Sequence, residues 1–177
     1  MSAGILPEHR PRWRTLTVRT VPPVVLNSSA MPAATVTAVT APIVTATRRL
    51  TFNAAHRIHN PALSDDENRR VFGKCNSPNG HGHNYVLEVS VSGPVSERTG
   101  YVIDLGVLKR LVEAHVVDVV DHRNMNVDVP FLRGIIPTAE NIVVACWKAI
   151  EPHVGEGRLT RLRLYETENI YVEYDGR

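Results

Sequence analysis

Gly73-Lys74-Cys75-Asn76-Ser77-Pro78-Asn79-Gly80-His81-Gly82-His83-Asn84-Tyr85 leads directly into Val86-Leu87-Glu88-Val89-Ser90-Val91-Ser92-Gly93. In the second half, Tyr85, Leu87, Val89 and Val91 fall on one face, and Val86, Glu88, Ser90 and Ser92 on the other. A strict two-residue period is that of a strand with one side on a core. The spacing predicts a half-buried strand over 84–93, ended by Gly93-Pro94. His81 and His83 keep the same period at its head, so both imidazoles project from one face. The glycines beside them leave room for a metal and a bound molecule.

Working outward, 46–55 (ATRRLTFNAA) reads as a second strand that runs into His56. If the two strands pair, His56 joins His81 and His83. Three histidines around zinc leave one coordination position open, as in catalytic sites. The bland alternative is a surface His-x-His pair or a hydrogen-bonded turn. Residues 60–71 are polar and irregular and read as a loop, and 101–103 as a short strand. Asp104 is placed to cap a helix whose apolar residues Leu108, Leu111, Val112, His115, Val116 and Val119 carry it to about Val120. His115, on that apolar face, is expected in the core. A second helix follows Pro137-Thr138, with Ile142, Val143, Cys146, Trp147 and Ile150 on one side, and Pro152 stops it. The runs 159–165 and 170–174, split by Glu166-Thr167-Glu168-Asn169, predict a hairpin. Strands and helices in this order make an antiparallel α+β domain. Neither a Gly-rich phosphate loop nor a βαβ rhythm occurs, which excludes a Rossmann dinucleotide fold.

Composition narrows the chemistry. With 177 residues and 43% apolar content the chain can bury a core of its own. Two cysteines exclude a disulfide scaffold and a four-cysteine zinc module, while eight histidines make imidazole the expected metal ligand. A net charge of +2 and 6% aromatic residues do not suggest a nucleic-acid surface. The slight basicity lies in the first 47 residues, where Arg10, Arg12, Arg14 and Arg19 face only Glu8. Pro22, Pro23, Pro32 and Pro42 interrupt the uncharged stretch 20–47, so no membrane span is expected. Residues 1–45 are expected to be a disordered extension or an over-long start, with Met31 as an alternative initiator. The Arg-rich beginning lacks the apolar stretch and cleavage site of a secretory signal.

Several further residues could carry chemistry. Cys75 is a thiol in a polar loop beside Lys74 and the histidines, a candidate base or nucleophile or else a small buried hydrophobe. Cys146 fits the latter role. Asp121-His122 is a carboxylate–imidazole pair or a chance neighbourhood at a helix end. Glu166, at the hairpin bend, could accept two hydrogen bonds from an N–H and NH2 edge or could be a solvated turn residue.

Taken together, these pieces resemble the 6-pyruvoyl-tetrahydropterin synthase family and its relative, 6-carboxytetrahydropterin synthase. The resemblance is carried, in family order, by Phe52-Asn53-Ala54-Ala55-His56, Cys75 with His81-Gly82-His83-Asn84-Tyr85, and Gly100-Tyr101-Val102-Ile103-Asp104-Leu105. Asp121-His122-Arg123-Asn124-Met125-Asn126, Pro137-Thr138-Ala139-Glu140-Asn141 and Glu166-Thr167-Glu168-Asn169 continue it, so that it covers about 46–177. It implies a T-fold, a four-stranded antiparallel sheet with two helices on one face. Such sheets join into a barrel in a trimer, and two trimers stack into a homohexamer. It implies zinc on His56, His81 and His83, and Cys75 as the proton-abstracting base. It also implies Asp121 and His122 as a proton relay facing a neighbouring subunit's cysteine, and Glu166 as the pterin anchor with Thr138 and Glu140 nearby. The implied reaction is conversion of 7,8-dihydroneopterin triphosphate to 6-pyruvoyl-tetrahydropterin and triphosphate in a cytoplasmic, tetrahydrobiopterin-type pathway, with no nucleic-acid or membrane partner. Lys74 and Arg57 are candidate triphosphate contacts.

The alternative product is 6-carboxy-5,6,7,8-tetrahydropterin, released with acetaldehyde and triphosphate, in queuosine or 7-deazapurine biosynthesis. The five residues between Cys75 and His81 resemble the pyruvoyl-forming enzymes, because the carboxy-forming ones typically have three there. A thiol rather than a carboxylate at the base position sets the chain apart from folate-pathway variants. A non-catalytic pterin- or zinc-binding T-fold is the third reading.

Overall fold

The computed structural model describes residues 41–177. Of the expected extension 1–45, residues 1–40 and the alternative start at Met31 lie outside the described residues, while 43–45 belong to the first strand. One sheet organises the rest, in the order β3-β1-β2-β4-β5. Strands β1 (Ile43–His56) and β2 (His81–Pro94) are antiparallel in unbroken register from Ile43 opposite Pro94 to His56 opposite His81. Both are longer than their alternation suggests, because the histidine ends and the Thr/Ser ends pair as well. Thr45 and Thr47 hydrogen-bond across to Ser92 and Ser90. Strand β4 (Arg158–Thr167) pairs with β2 through a shift at Ser90/Val91, and β5 (Ile170–Tyr174) closes the expected hairpin. A two-residue β3 (Arg123–Asn124) lies parallel to Ala54 and Ala55, which makes a fifth strand that sequence reading does not find.

The inner face of the sheet carries Leu50, Phe52, Tyr85, Leu87, Val89, Val91, Leu162 and Leu164, all buried in one core with residues of two helical segments. The first segment is α2 (Leu105–Val112), capped by Asp104 as expected, with its carboxylate accepting from Gly106 and Val107 amides. It does not run on as a regular helix. A π-helical turn (Glu113–Val117) intervenes before the short α3 (Asp118–Val120). The wider turn shifts the helical phase. Val116 and Val120 stay fully buried, but His115 does not enter the core. Its ring stacks on that of exposed His153, with centroids 3.6 Å apart. The second segment, α4 (Ala139–Ile150), is capped by Thr138 and buries Ile142, Val143, Cys146, Trp147 and Ile150. Burial pushes the Cys146 thiol up to about 12, which suits its expected role as a packed hydrophobe.

Two further sequence expectations fail. Residues 101–103 form no strand; the Ser96 amide donates to the Tyr101 carbonyl in a turn that ends with Ile103 plugged into the core. Part of the expected loop 60–71 is helix α1 (Asp65–Phe72). Ser64 caps it, and Glu67 reaches back to the Ser64 amide to complete a capping box. Buried Asn68 ties the helix to the preceding turn through bonds to the Asn60, Leu63 and Ser64 carbonyls and from the Asn60 amide.

Candidate active site

The β1–β2 register brings the three histidines together. His56 ends β1 directly opposite His81, and His83 lies opposite Ala54 on the same inner face. Their ligand nitrogens all lie within 4.8 Å of one another. Gly80 makes this approach possible, because it has φ +70° and a Cβ there would come within 3.0 Å of the His56 carbonyl oxygen. His56 is wholly buried and its Nδ1 donates to the Pro137 carbonyl at 2.7 Å. That bond fixes the tautomer and leaves Nε2 with its lone pair, 3.1 Å from His81 Nε2.

These residues suit a transition-metal ion. The buried His81 Nδ1 and His83 Nε2 have no hydrogen-bond partner, and three imidazoles form a donor set that zinc accepts. Burial lowers the pKa of His56, with smaller contributions from neighbouring His81 and His83 against the raising effects of Pro137 and Glu166. Burial, then His83, lowers that of His81. Both effects favour the neutral, ligating form. Tyr85 stacks on Phe52 beneath the cluster, with its hydroxyl 3.5 Å from His56 Nε2. Burial first, then Glu166 and Cys75, raises its pKa and keeps the phenol neutral.

Glu166 does not sit at a solvated bend. It is the penultimate residue of β4, two residues beyond inward-facing Leu164, and its carboxylate lies 3.5 Å from His56 Nε2 and 3.7 Å from His83 Nε2. Cys75 lies in a 3-10 turn (Gly73–Asn76), half-buried, with its carbonyl accepting from the Ile58 amide at 2.9 Å. Thr138 is used as the α4 cap, one residue from the carbonyl that holds His56. Glu140 is exposed in the first turn of α4.

Asp121 and His122 form a pair of their own. His122 Nδ1 lies 2.8 Å from Asp121 Oδ2, while Asp121 Oδ1 accepts from the Asn53 amide and the His122 amide donates to the Asn53 carbonyl. The bond from the Asn53 amide, and then that with His122, lowers the Asp121 pKa and keeps it ionised. His122 is the sole non-glycine residue with positive φ among the described residues, at +57°, and its side chain is 78% exposed. Among the described residues, no hydrogen bond or ion pair links this pair to Cys75 or the three histidines. His122 lines a concavity at the sheet edge together with Asn53, Gly82, Asn84 and His83 of the histidine cluster. Of the two candidate triphosphate contacts, Lys74 is exposed, whereas the Arg57 guanidinium is engaged by Asn76. Sequence reading misses this engagement, and also the Pro137 carbonyl; the density of asparagines after His56, Cys75 and Met125 was the available signal.

Comparison with known proteins agrees with this architecture. The family model of 6-pyruvoyl tetrahydropterin synthase matches residues 45–177. The human 6-pyruvoyl tetrahydrobiopterin synthase is 42% identical over 129 residues, covering 73% of this chain and 89% of the human protein. The solved structure of Caenorhabditis elegans 6-pyruvoyl tetrahydropterin synthase, 40% identical, superposes with a TM-score of 0.75 over 78% of this chain and 99% of that one. A 6-carboxy-5,6,7,8-tetrahydropterin synthase of Rickettsia conorii is 30% identical over 149 residues, covering 74% of this chain and 99% of its own. With the T-fold architecture, the convergent histidines and a match over the whole described body in hand, the chain belongs to the 6-pyruvoyl tetrahydropterin synthase family.

Proposed function

We propose that the protein is a zinc-dependent lyase that converts 7,8-dihydroneopterin triphosphate to 6-pyruvoyl-tetrahydropterin and triphosphate. The observation that carries the reading is the convergence of His56, His81 and His83 nitrogens within 4.8 Å in a chain of this family. Zinc held there would supply a Lewis acid toward the substrate's side-chain hydroxyls, which makes the protons on their carbons more acidic. Cys75 takes such a proton as its thiolate, and His122, oriented by Asp121, returns one. No external hydride donor is needed, because the side chain is oxidised while the ring is reduced and triphosphate leaves. Glu166, with Thr138 and Glu140 in the same neighbourhood, takes the N–H and NH2 edge of the pterin.

The site is shared between subunits of a cytoplasmic homohexamer built as two trimers. Sharing is supported by the exposure of the His122 side chain, 78%, which leaves its ring accessible to a neighbouring subunit. The catalytic domain begins with β1 at Ile43, and the family match begins at residue 45.

Incubation of the purified, zinc-loaded chain with dihydroneopterin triphosphate, followed by product mass, tests this reading. The pyruvoyl product without acetaldehyde is expected. A carboxypterin with acetaldehyde would establish the second reading, which the Rickettsia relative favours. Unchanged substrate would point to a binding protein. Cys75→Ala is expected to keep its zinc and lose turnover; full activity in that variant rejects Cys75 as the base.

A further inference from the structure

Arg57 follows the buried His56 and, by sequence, looks like a free cation for a phosphate. Its surroundings give it a different task. Its Nε donates to the Asn76 main-chain carbonyl at 3.0 Å and its Nη2 to Asn76 Oδ1 at 3.3 Å. Asn76 is only 6% exposed, and its Nδ2 donates to the Ile58 carbonyl at 2.8 Å and contacts His59 Nδ1 at 3.0 Å. Both protons and the oxygen of this buried amide are therefore used, as a buried amide requires. Arg57 is itself held from the other side. Asn126 accepts from the Arg57 amide at 2.7 Å and donates to the Arg57 carbonyl at 2.9 Å, a two-point clamp on one residue's backbone.

We propose that Arg57 is a positioning residue that fixes the Cys75 turn through Asn76, and that Asn126 locks it in place. Cys75 immediately precedes Asn76, and its own carbonyl is bonded to the Ile58 amide. The turn bearing the thiol is thus pinned at three points to the chain that leaves His56: by the Ile58 amide, by the Asn76 side chain and by the Arg57 fork. The fork geometry matters more than the charge, because a lysine ammonium on its flexible stem lacks the fixed planar fork that meets the main-chain and side-chain oxygens of Asn76 together. The inference rests on the proposed role of Cys75 as base for its effect on turnover, but not for its effect on the thiol's placement.

The full chain, zinc-loaded, is to be compared with Arg57→Gln, Arg57→Lys and Asn76→Ala. Three quantities decide: kcat and KM for dihydroneopterin triphosphate, bound zinc, and the rate at which iodoacetamide alkylates Cys75, followed by peptide mass. The expected result is a fall in kcat of about 10- to 100-fold in both Arg57 variants, with KM within about twofold of the parent. Zinc content is unchanged, and Cys75 is alkylated faster in all three variants as its turn loosens. A KM that rises in Arg57→Gln and recovers in Arg57→Lys overturns the proposal in favour of a phosphate contact. An unchanged Cys75 alkylation rate overturns it as well. If alkylation accelerates while Cys75→Ala keeps full activity, the positioning stands and the assignment of the base falls.

Discussion

Histidine at φ +57° is an expensive choice, since a side chain in the left-handed region costs roughly 1–2 kcal/mol relative to its ordinary backbone. At position 122 the strain aims an imidazole outward while both Asn53 backbone groups hold the turn in place. Glycine tolerates that backbone where alanine does not, so His122→Gly is expected to unfold at higher urea than His122→Ala, by about 1 kcal/mol, with both losing activity. Equal stability of the two would contradict the strain. The buried imidazoles set a second expectation. In the folded chain the pKa values of His56 and His81 lie below the ordinary 6.5, so the unfolded chain binds those protons more tightly. Their contribution is present above the unfolded value and is lost as pH falls through the folded ones. Protein stripped of metal by a chelator should therefore lose thermal stability between about pH 7 and pH 5, and a flat or rising midpoint contradicts the assignment.

Among elements, α1 shows where a reading by hydrophobic period ends. It exposes most of its residues and presents no apolar stripe, so nothing in its periodicity separates it from a loop. Its signature was Ser64-Asp65-Asp66-Glu67, a capping box that is present in the structure atom for atom. Ser64→Ala is expected to cost about 1 kcal/mol, read as a shift in the denaturation midpoint, and an unchanged midpoint would show that Asn68 alone holds the segment. By contrast, the β1–β2 pairing was legible, because period two runs through Tyr85, Leu87 and Val89 and continues into His83 and His81. The π-helical turn was not: Val112, Val116 and Val120 keep a spacing of four, as an unbroken helix would, while His115 is displaced. Glu166 was legible as a carboxylate of interest but misplaced, since β4 runs two residues nearer the bend, to Thr167, than its alternation indicates.

For the molecule as a whole, whether the Asp121–His122 pair and the thiol turn work within one chain or between two is best tested by mixing. Cys75→Ala and His122→Ala chains are each expected to be inactive. If one subunit's thiol works with another's imidazole, random reassembly of equal amounts restores about one quarter of the sites. No recovery after unfolding and refolding together would place the whole site in one chain. The two-residue β3 bears on where a second copy could dock. It occupies the outer edge of β1 only beside Ala54 and Ala55, and the preceding stretch from Ile43 lacks a neighbour on that side among the described residues. A strand laid against β1 from outside therefore runs out of track near Asn53. Arg123 and Asn124 form an end-stop that limits how far such a strand can slide, and the residues that set this limit adjoin the Asp121–His122 pair. For a second copy docked on that edge, alignment and placement of the imidazole would be measured from one mark on the chain.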